Sequence, residues 1–349
     1  MENLKMIVEP LLQWFQFNKR ALPWRRTKDP YHIWVSEIML QQTRVEAVKP
    51  YYDRFLQTLP TVKDLAEADE ETILKLWEGL GYYSRVRNMQ KAAIQVMEEH
   101  NGAFPADHGK LLKLKGIGPY TAGAVGSIAF GLPVPAVDGN VLRVMSRITA
   151  DAADISLQST KKMWEDRIRE IMPADFPGDL NQALMELGAV ICLPNGAPKC
   201  DLCPVRKYCE AYRRGTIQMY PVKAEKKARV IENLSVFFCV YDGKIAIGKR
   251  PKKGLLSGLW ELPNSERDIA VPSALQEKGI LNAEIMPMKN QKHIFTHVEW
   301  HMDCYFVNVF DKTDSDLIWL TQKDAEESFA LPSAFKKIWA EGIARMKQG

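Results

Sequence analysis

Apolar residues recur every three or four positions through the first 212 residues. In LPTVKDLAEADEETILKLWEGLG this spacing predicts helix, with Leu65, Ile73, Leu76 and Trp77 facing a core. Gly/Pro punctuation recurs as GLGYYS, NGAFP, KGIGP and GLPVP, as expected of short helices joined by tight turns. Alternation with a period of two is nearly absent there. Beyond Tyr212 the pattern changes. RRGTIQMYPVKAEKKARVIEN is basic, contains a proline and lacks periodicity, so it reads as a linker. LSVFFCVYDGKIAIGKR then reads as two strands joined at Asp242-Gly243. HMDCYFVNVF reads as another strand and SAFKKIWAEGIARM as a closing helix. The expected organisation is multidomain: an all-α domain over 1–212, a linker over 213–232 and a mixed α/β domain over 233–349. No internal repeat is visible.

Composition narrows the class without naming it. At 349 residues the chain is long enough for two cores, and 46% apolar with 26% charged residues is ordinary for a globular protein. The net charge of +4 permits nucleic acid without demanding it. No apolar run reaches the ~20 residues that a membrane span needs. The opening MENLKMIVEPLLQWF carries early acids and reads as an amphipathic helix rather than a signal peptide, so no membrane association and a cytoplasmic location are expected. Thiols in such a compartment point to metal or catalysis rather than disulfides.

Four of the six cysteines fall in CLPNGAPKCDLCPVRKYC: Cys192, Cys200, Cys203 and Cys209, spaced C-x7-C-x2-C-x5-C. Thiolates this dense can hold a soft metal centre. Zinc competes for such a site, but four-cysteine zinc sites usually carry two C-x2-C pairs and here there is one. Cys239 and Cys304 sit on predicted strands and read as packed small hydrophobes.

A second motif is LKGIGPYTAGAV. Helical pattern flanks it on both sides, so it reads as helix–hairpin–helix. Gly116 and Gly118 would allow a tight turn and close approach to a phosphate, aided by the following helix N-terminus. A plain αα-hairpin is the alternative. Neither a strand-linked GxGxxG nor a GKS/T loop accompanies it, so a DNA backbone phosphate fits better than a nucleotide. Two carboxylates stand out nearby. Asp138, in VPAVDGNVLRV, reads as a helix N-cap or a catalytic group, and the two roles are compatible. Glu37 lies among Trp34, Val35, Ile38 and Met39. An apolar pocket there would raise its pKa and suit it to general acid work; a solvated helix face is the other reading.

LKGIGPYTA, then PAVDGNVLRV, then the four cysteines together resemble the endonuclease III superfamily of DNA glycosylases. LPWR, VSEIMLQQTRVEAV and GLGYYSRVRN within it resemble adenine DNA glycosylases of the MutY type. The resemblance covers nearly the whole chain. It implies an all-α helix–hairpin–helix glycosylase domain with an iron–sulfur loop, followed by an α/β Nudix-like domain. It implies one [4Fe–4S] cluster on the four cysteines, although the family's first gap is six residues and here it is seven. Glu37 would protonate adenine N7, and Asp138 would stabilise or attack the sugar cation. Asn140 and Tyr120 would line the sugar side. Bifunctional relatives carry a lysine where this chain has Tyr120, so a monofunctional, hydrolytic enzyme is implied. Gln42 and Tyr82 match residues that wedge into the base stack, and Arg25 and Gln182 are weaker candidates for the adenine pocket. GLLSGLWELPN resembles the start of a Nudix fold, but VPSALQEKGI offers only Glu277 of the glutamates that its hydrolysis needs. The implied role of this domain is recognition of 8-oxoguanine, through Phe295, Thr296 and His297 where the family has Phe-Ser-His. The implied partner is double-stranded DNA with 8-oxoguanine:adenine or guanine:adenine mispairs, acted on by a monomer.

Overall fold

The structure, a computed structural model, describes residues 2–224 and 228–348. These form two compact units. One holds the described residues up to Glu67 with those from Asn88 to 224; the other holds Ala68–Arg87 with 228–348. Within the expected linker, 213–232, residues 225–227 lie outside the described residues.

The first unit is helical. Its main elements are Val8–Asn18, Pro30–Leu40, Val45–Thr58, Ser84–Glu99, Pro119–Phe130, Gly139–Thr149, Gln158–Arg169 and Pro177–Val190, the fourth of which begins in the other unit. Sequence cues set their starts. Asp29 accepts hydrogen bonds from the backbone N–H of Tyr31 and His32, and Asp138 accepts one from Val141. Proline occupies the first turn of three of these helices, where its missing N–H costs nothing. The Pro119–Phe130 helix is buried nearly all round and built of small residues. A Cβ on its Gly123 would stand 2.0 Å from the Pro135 carbonyl oxygen, so only glycine allows that approach. One core packs Leu11 and Phe15 against Val141, Met145, Trp164 and Leu184. Among the described residues no helix is long and apolar enough to cross a membrane.

The helical reading around Leu65–Trp77 holds, with one break in it. Two helices form, Val62–Glu67 and Glu70–Leu76, because the Asp69 side chain accepts from Thr72 N and starts a new helix. The four expected core residues are buried. LLKL is likewise only partly helical: the short helix before the hairpin ends at Leu111.

The rest of the second unit is α/β. Its strands are β1 Val230–Tyr241, β2 Lys244–Lys249, β3 Trp260–Glu261, β4 Asn264–Glu266, β5 Ile280–Pro287, β6 Gln291–Ile294, β7 Val298–Lys312 and β8 Ile318–Leu320. The sheet runs β3-β2-β1-β7-β5, with β1 and β7 parallel and the other pairs antiparallel. Six consecutive buried residues on β1 mark a central strand covered on both faces. Val236, Phe238 and Val240 pack towards Phe335 and Ile338, whereas Phe237 and Cys239 pack towards Ala274 and Leu275. Cys239 and Cys304 are buried in these two cores. Asp242 and Gly243 turn the β1–β2 hairpin with φ of 48° and 67°, as its sequence required.

Candidate active site

A cavity of about 880 Å3 opens into the first unit, and Glu37, Tyr120, Asp138 and Asn140 all line it. Glu37 comes from the Pro30–Leu40 helix, whose run from Ile33 to Met39 is buried on every side. The carboxylate is therefore held in an apolar helix at 6% exposure. The Tyr120 hydroxyl donates to Glu37 Oε2. Burial raises the Glu37 pKa to about 7. The Tyr120 hydrogen bond opposes that rise, Asp138 adds to it and Arg25 reduces it. A carboxyl group so placed is half protonated near neutrality and can donate a proton into the cavity. Tyr120 itself is driven well above its ordinary value by burial and by the carboxylates beside it, so it stays a phenol.

Asp138 is the helix N-cap its sequence context allowed, and its second carboxylate oxygen faces a different partner. Its Oδ1 caps the Gly139–Thr149 helix by accepting from Val141 N at 2.8 Å, and its Oδ2 accepts from Asn140 Nδ2 at 2.7 Å. Burial pushes Asp138 above the usual carboxylate range, while these hydrogen bonds pull it back. Asn140 is fixed in turn: its Oδ1 accepts from Arg143 Nη2 at 2.9 Å, and Arg143 also donates to the Gly188 and Cys192 carbonyls. A buried acid of raised pKa and a carboxyl group fixed by two hydrogen bonds thus share one cavity, an arrangement able to divide proton donation from charge stabilisation.

Gln42, Arg25 and Gln182 line the same cavity. Gln42 stands at its rim, exposed, with φ of 61°. In the hairpin, Gly116 adopts φ of 76°, and a Cβ there would meet Asn88 Cβ at 2.7 Å. Gly118, the N-cap of the Pro119–Phe130 helix, has open space where a Cβ would be.

The remaining expected contacts lie in the second unit. Phe295, Thr296 and His297 form the loop between β6 and β7, closed by Phe295 N donating to Val298 O at 2.8 Å. Phe295 packs edge-on against Trp300, which positions the loop, and Thr296 and His297 are exposed. Tyr82 is 49% exposed with φ of 48°, and its hydroxyl pairs with Thr296 Oγ1 at 2.5 Å. Gln42 and Tyr82, the two expected wedges, are thus both non-glycine residues in the left-handed region, a conformation that surrounding structure must impose.

Cys192, Cys200, Cys203 and Cys209 are free thiols that line one small cavity with Arg147 and Arg206. Arg147 Nη1 donates to Cys192 Sγ at 3.3 Å. Burial raises Cys200, Cys203 and Cys209, and the other thiols add to each rise; Cys203 reaches about 12. Among the described residues no three His, Cys, Asp or Glu side chains converge as ligands of a single metal ion.

Two family profiles match the chain. Residues 35–173 match "HhH-GPD superfamily base excision DNA repair protein" and residues 235–341 match "NUDIX domain". An adenine DNA glycosylase from Arabidopsis thaliana is 39% identical over 74% of this chain, which spans about half (48%) of that relative. One from Buchnera aphidicola is 32% identical, with 95% of each chain covered. The chain belongs to the adenine DNA glycosylase family. The structure of a thermostable thymine-DNA glycosylase covers 61% of the chain and 98% of its own, with 30% identity and a TM-score of 0.56. The architecture is accordingly a helix–hairpin–helix glycosylase domain followed by a Nudix-like domain.

Placed in an adenine DNA glycosylase, one feature of the cavity escaped the sequence reading. Arg25, expected in the adenine pocket, is tied to Glu186: Nη2 donates to Oε2 at 2.9 Å. Arg20 grips the same carboxylate through Nε and Nη2 at 2.7 and 2.8 Å. Burial would raise Glu186, but these hydrogen bonds outweigh it and hold the group down at about 2. All three residues line the cavity, so part of its wall is a fixed ion cluster. The one available signal was a lone glutamate four residues after Gln182 in an otherwise apolar stretch, NQALMELGAV.

Proposed function

We propose that this chain is a monofunctional adenine DNA glycosylase that hydrolyses the N-glycosidic bond of adenine opposite 8-oxoguanine or guanine. The observation that carries the reading is Glu37, buried, bonded to Tyr120, and sharing a cavity with Asp138. Anionic adenine is a poor leaving group, so a proton delivered to N7 by Glu37 lowers the barrier to bond breaking. Positive charge then builds on the sugar, and the Asp138 carboxylate is assigned to stabilise that charge or capture C1′. Tyr120 supplies no amine, so no imine forms and strand cleavage is not part of the reaction. The target base reaches the cavity only by leaving the duplex, with Gln42 and Tyr82 filling the stack and Gly116 and Gly118 gripping the backbone.

The donor set of Cys192, Cys200, Cys203 and Cys209 fits a [4Fe–4S] cluster. All four sulfurs line one cavity, and four thiolates are the soft donor set that such a cluster takes, one per iron. When bound, such a cluster would tie the 192–209 loop into one piece. It would leave no open coordination site for substrate. The Nudix-like domain serves recognition rather than hydrolysis: its Val271–Glu277 helix carries a single acid, Glu277. Phe295, Thr296 and His297 are assigned to reading 8-oxoguanine, which differs from guanine at O8 and N7–H.

Base release under single turnover from duplexes carrying 8-oxoguanine:adenine, guanine:adenine and thymine:adenine tests the reading. Adenine release from the first two and not the third is expected. Absence of adenine release from all three refutes it.

A further inference from the structure

A second cavity, of about 540 Å3, adjoins the candidate active site in the same helical unit. Trp24, Arg25, Ile128 and Gln182 line both cavities, so the two share one wall. That wall is uneven. Trp24 is buried in the core, and Arg25 is pinned by Glu186. Gln182, by contrast, is held among the described residues by one long hydrogen bond, Nε2 to Gly178 O at 3.4 Å.

The lining suits a flat, nitrogen-rich ring. Phe130 and Phe176 supply aromatic surface. Phe176 is 54% exposed, on the residue that starts the Pro177–Val190 helix. Asp175 and Asp179 supply acceptors for an exocyclic amine, and Thr27 and Lys28 supply donors for ring nitrogens. Stacking on aromatics combined with a few polar groups is how proteins hold free bases.

The reaction creates a need for such a site. A flipped nucleotide enters the first cavity by its mouth, and the DNA then covers that mouth. The excised base must then leave either past the strand or past the wall that the two cavities share. We propose that the second cavity receives the free purine base and lets it leave while DNA is still bound. This rests on the reading that the product is a free purine, and it adds a site and an exit route to that reading.

The test uses the full chain bound to a duplex whose target deoxyadenosine carries a 2′-fluorine, which resists cleavage and keeps the first cavity filled. Free adenine is then titrated by equilibrium dialysis. Binding is expected in the wild-type complex. Phe176→Ala, which removes the exposed ring, and Ala129→Trp, which fills the cavity, are each expected to weaken it at least tenfold. Single-turnover base release on unmodified substrate should stay within twofold for both, since neither residue lines the first cavity. No adenine binding in the wild-type complex, or equal binding by wild type and Phe176→Ala, overturns the proposal. Displacement of adenine by inorganic phosphate also overturns it, because the cavity would then be an anion site. Failure of wild-type base release on unmodified substrate refutes the functional reading instead, so the two failures are distinguishable.

Discussion

The Tyr120 hydroxyl donates to Glu37 Oε2 inside a cavity that both residues line. That bond and the burial around it act on Glu37 in opposite directions, and burial wins, raising the pKa to about 7. The protonated form is the working form of a general acid, so base release is expected to fall as pH rises through about 7. The stability consequence has the same sign. A carboxyl whose folded pKa lies above its unfolded value binds more protons when folded, so stability declines as pH rises from about 4.5 through about 7. Glu37→Gln removes the proton donor and the cost of ionisation together. It should lose about 100-fold or more in single-turnover rate. It should also gain up to about 3 kcal/mol of stability at pH 7. Wild-type rate in this variant would falsify the assignment.

Tyr120→Phe isolates the hydrogen bond. Without it Glu37 loses a contact that favours its ionised form, so its pKa rises further. The alkaline limb of the pH–rate profile should move to higher pH, with a smaller loss of maximal rate than Glu37→Gln shows. An unmoved limb would mean that Tyr120 does not set the acid. Borohydride should trap little covalent complex with the wild-type chain, because position 120 carries no amine.

Asp138 combines a cap with a charge, and two substitutions separate them. Asparagine caps helices nearly as well as aspartate, so Asp138→Asn should melt close to wild type. Its rate should nevertheless drop by roughly two to four orders of magnitude, since the carboxylate charge is gone. Asp138→Ala should lose the same activity and about 1 kcal/mol of stability as well. Equal melting of the two variants would show that the cap contributes nothing; a fast Asp138→Asn enzyme would remove Asp138 from the chemistry.

The cysteine loop predicts a composition. Purified protein should be brown and contain iron and acid-labile sulfide in equal amounts, near four of each per chain. Cys203→Ala should lower both and destabilise the 192–209 loop, read as faster proteolysis there. Stoichiometric zinc without sulfide would replace the cluster by a structural zinc site.

These sites were unequally legible in the sequence. Glu37 was visible because a charge interrupts an apolar helix, and Asp138 because a cap and a motif coincide. Glu186 was not, because its meaning depends on Arg20 and Arg25, 166 and 161 residues away. One glutamate in a helical stretch carries no mark of such partners. The change of period near residue 212 separated helical from strand-bearing sequence, and LSVFFCVYDGKIAIGKR showed the β1–β2 hairpin. At 62–77 the same periodicity marked helix and core residues correctly. It could not register that Asp69 caps a second helix, nor that residues 68–87 pack with the strands that follow 228. A hydrophobic face shows that a core exists and not which core it joins.

That packing makes the last prediction possible. Tyr82 and Thr296 are 214 residues apart, yet their hydroxyls meet at 2.5 Å within one compact unit. The expected wedge is therefore bonded to the expected lesion-reading loop, and its left-handed backbone, φ 48°, aims it there. A neutral hydrogen bond contributes on the order of 1 kcal/mol, about fivefold in a rate ratio. The measured ratio is base release from 8-oxoguanine:adenine over that from guanine:adenine. Thr296→Ser keeps the hydroxyl and should keep the ratio. Thr296→Val and Tyr82→Phe should each lower it about fivefold. Because both remove the same bond, the double variant should be no worse than either single one. Independent, multiplying losses would show that the two side chains read the lesion separately, and that their contact does not transmit what the loop senses to the wedge.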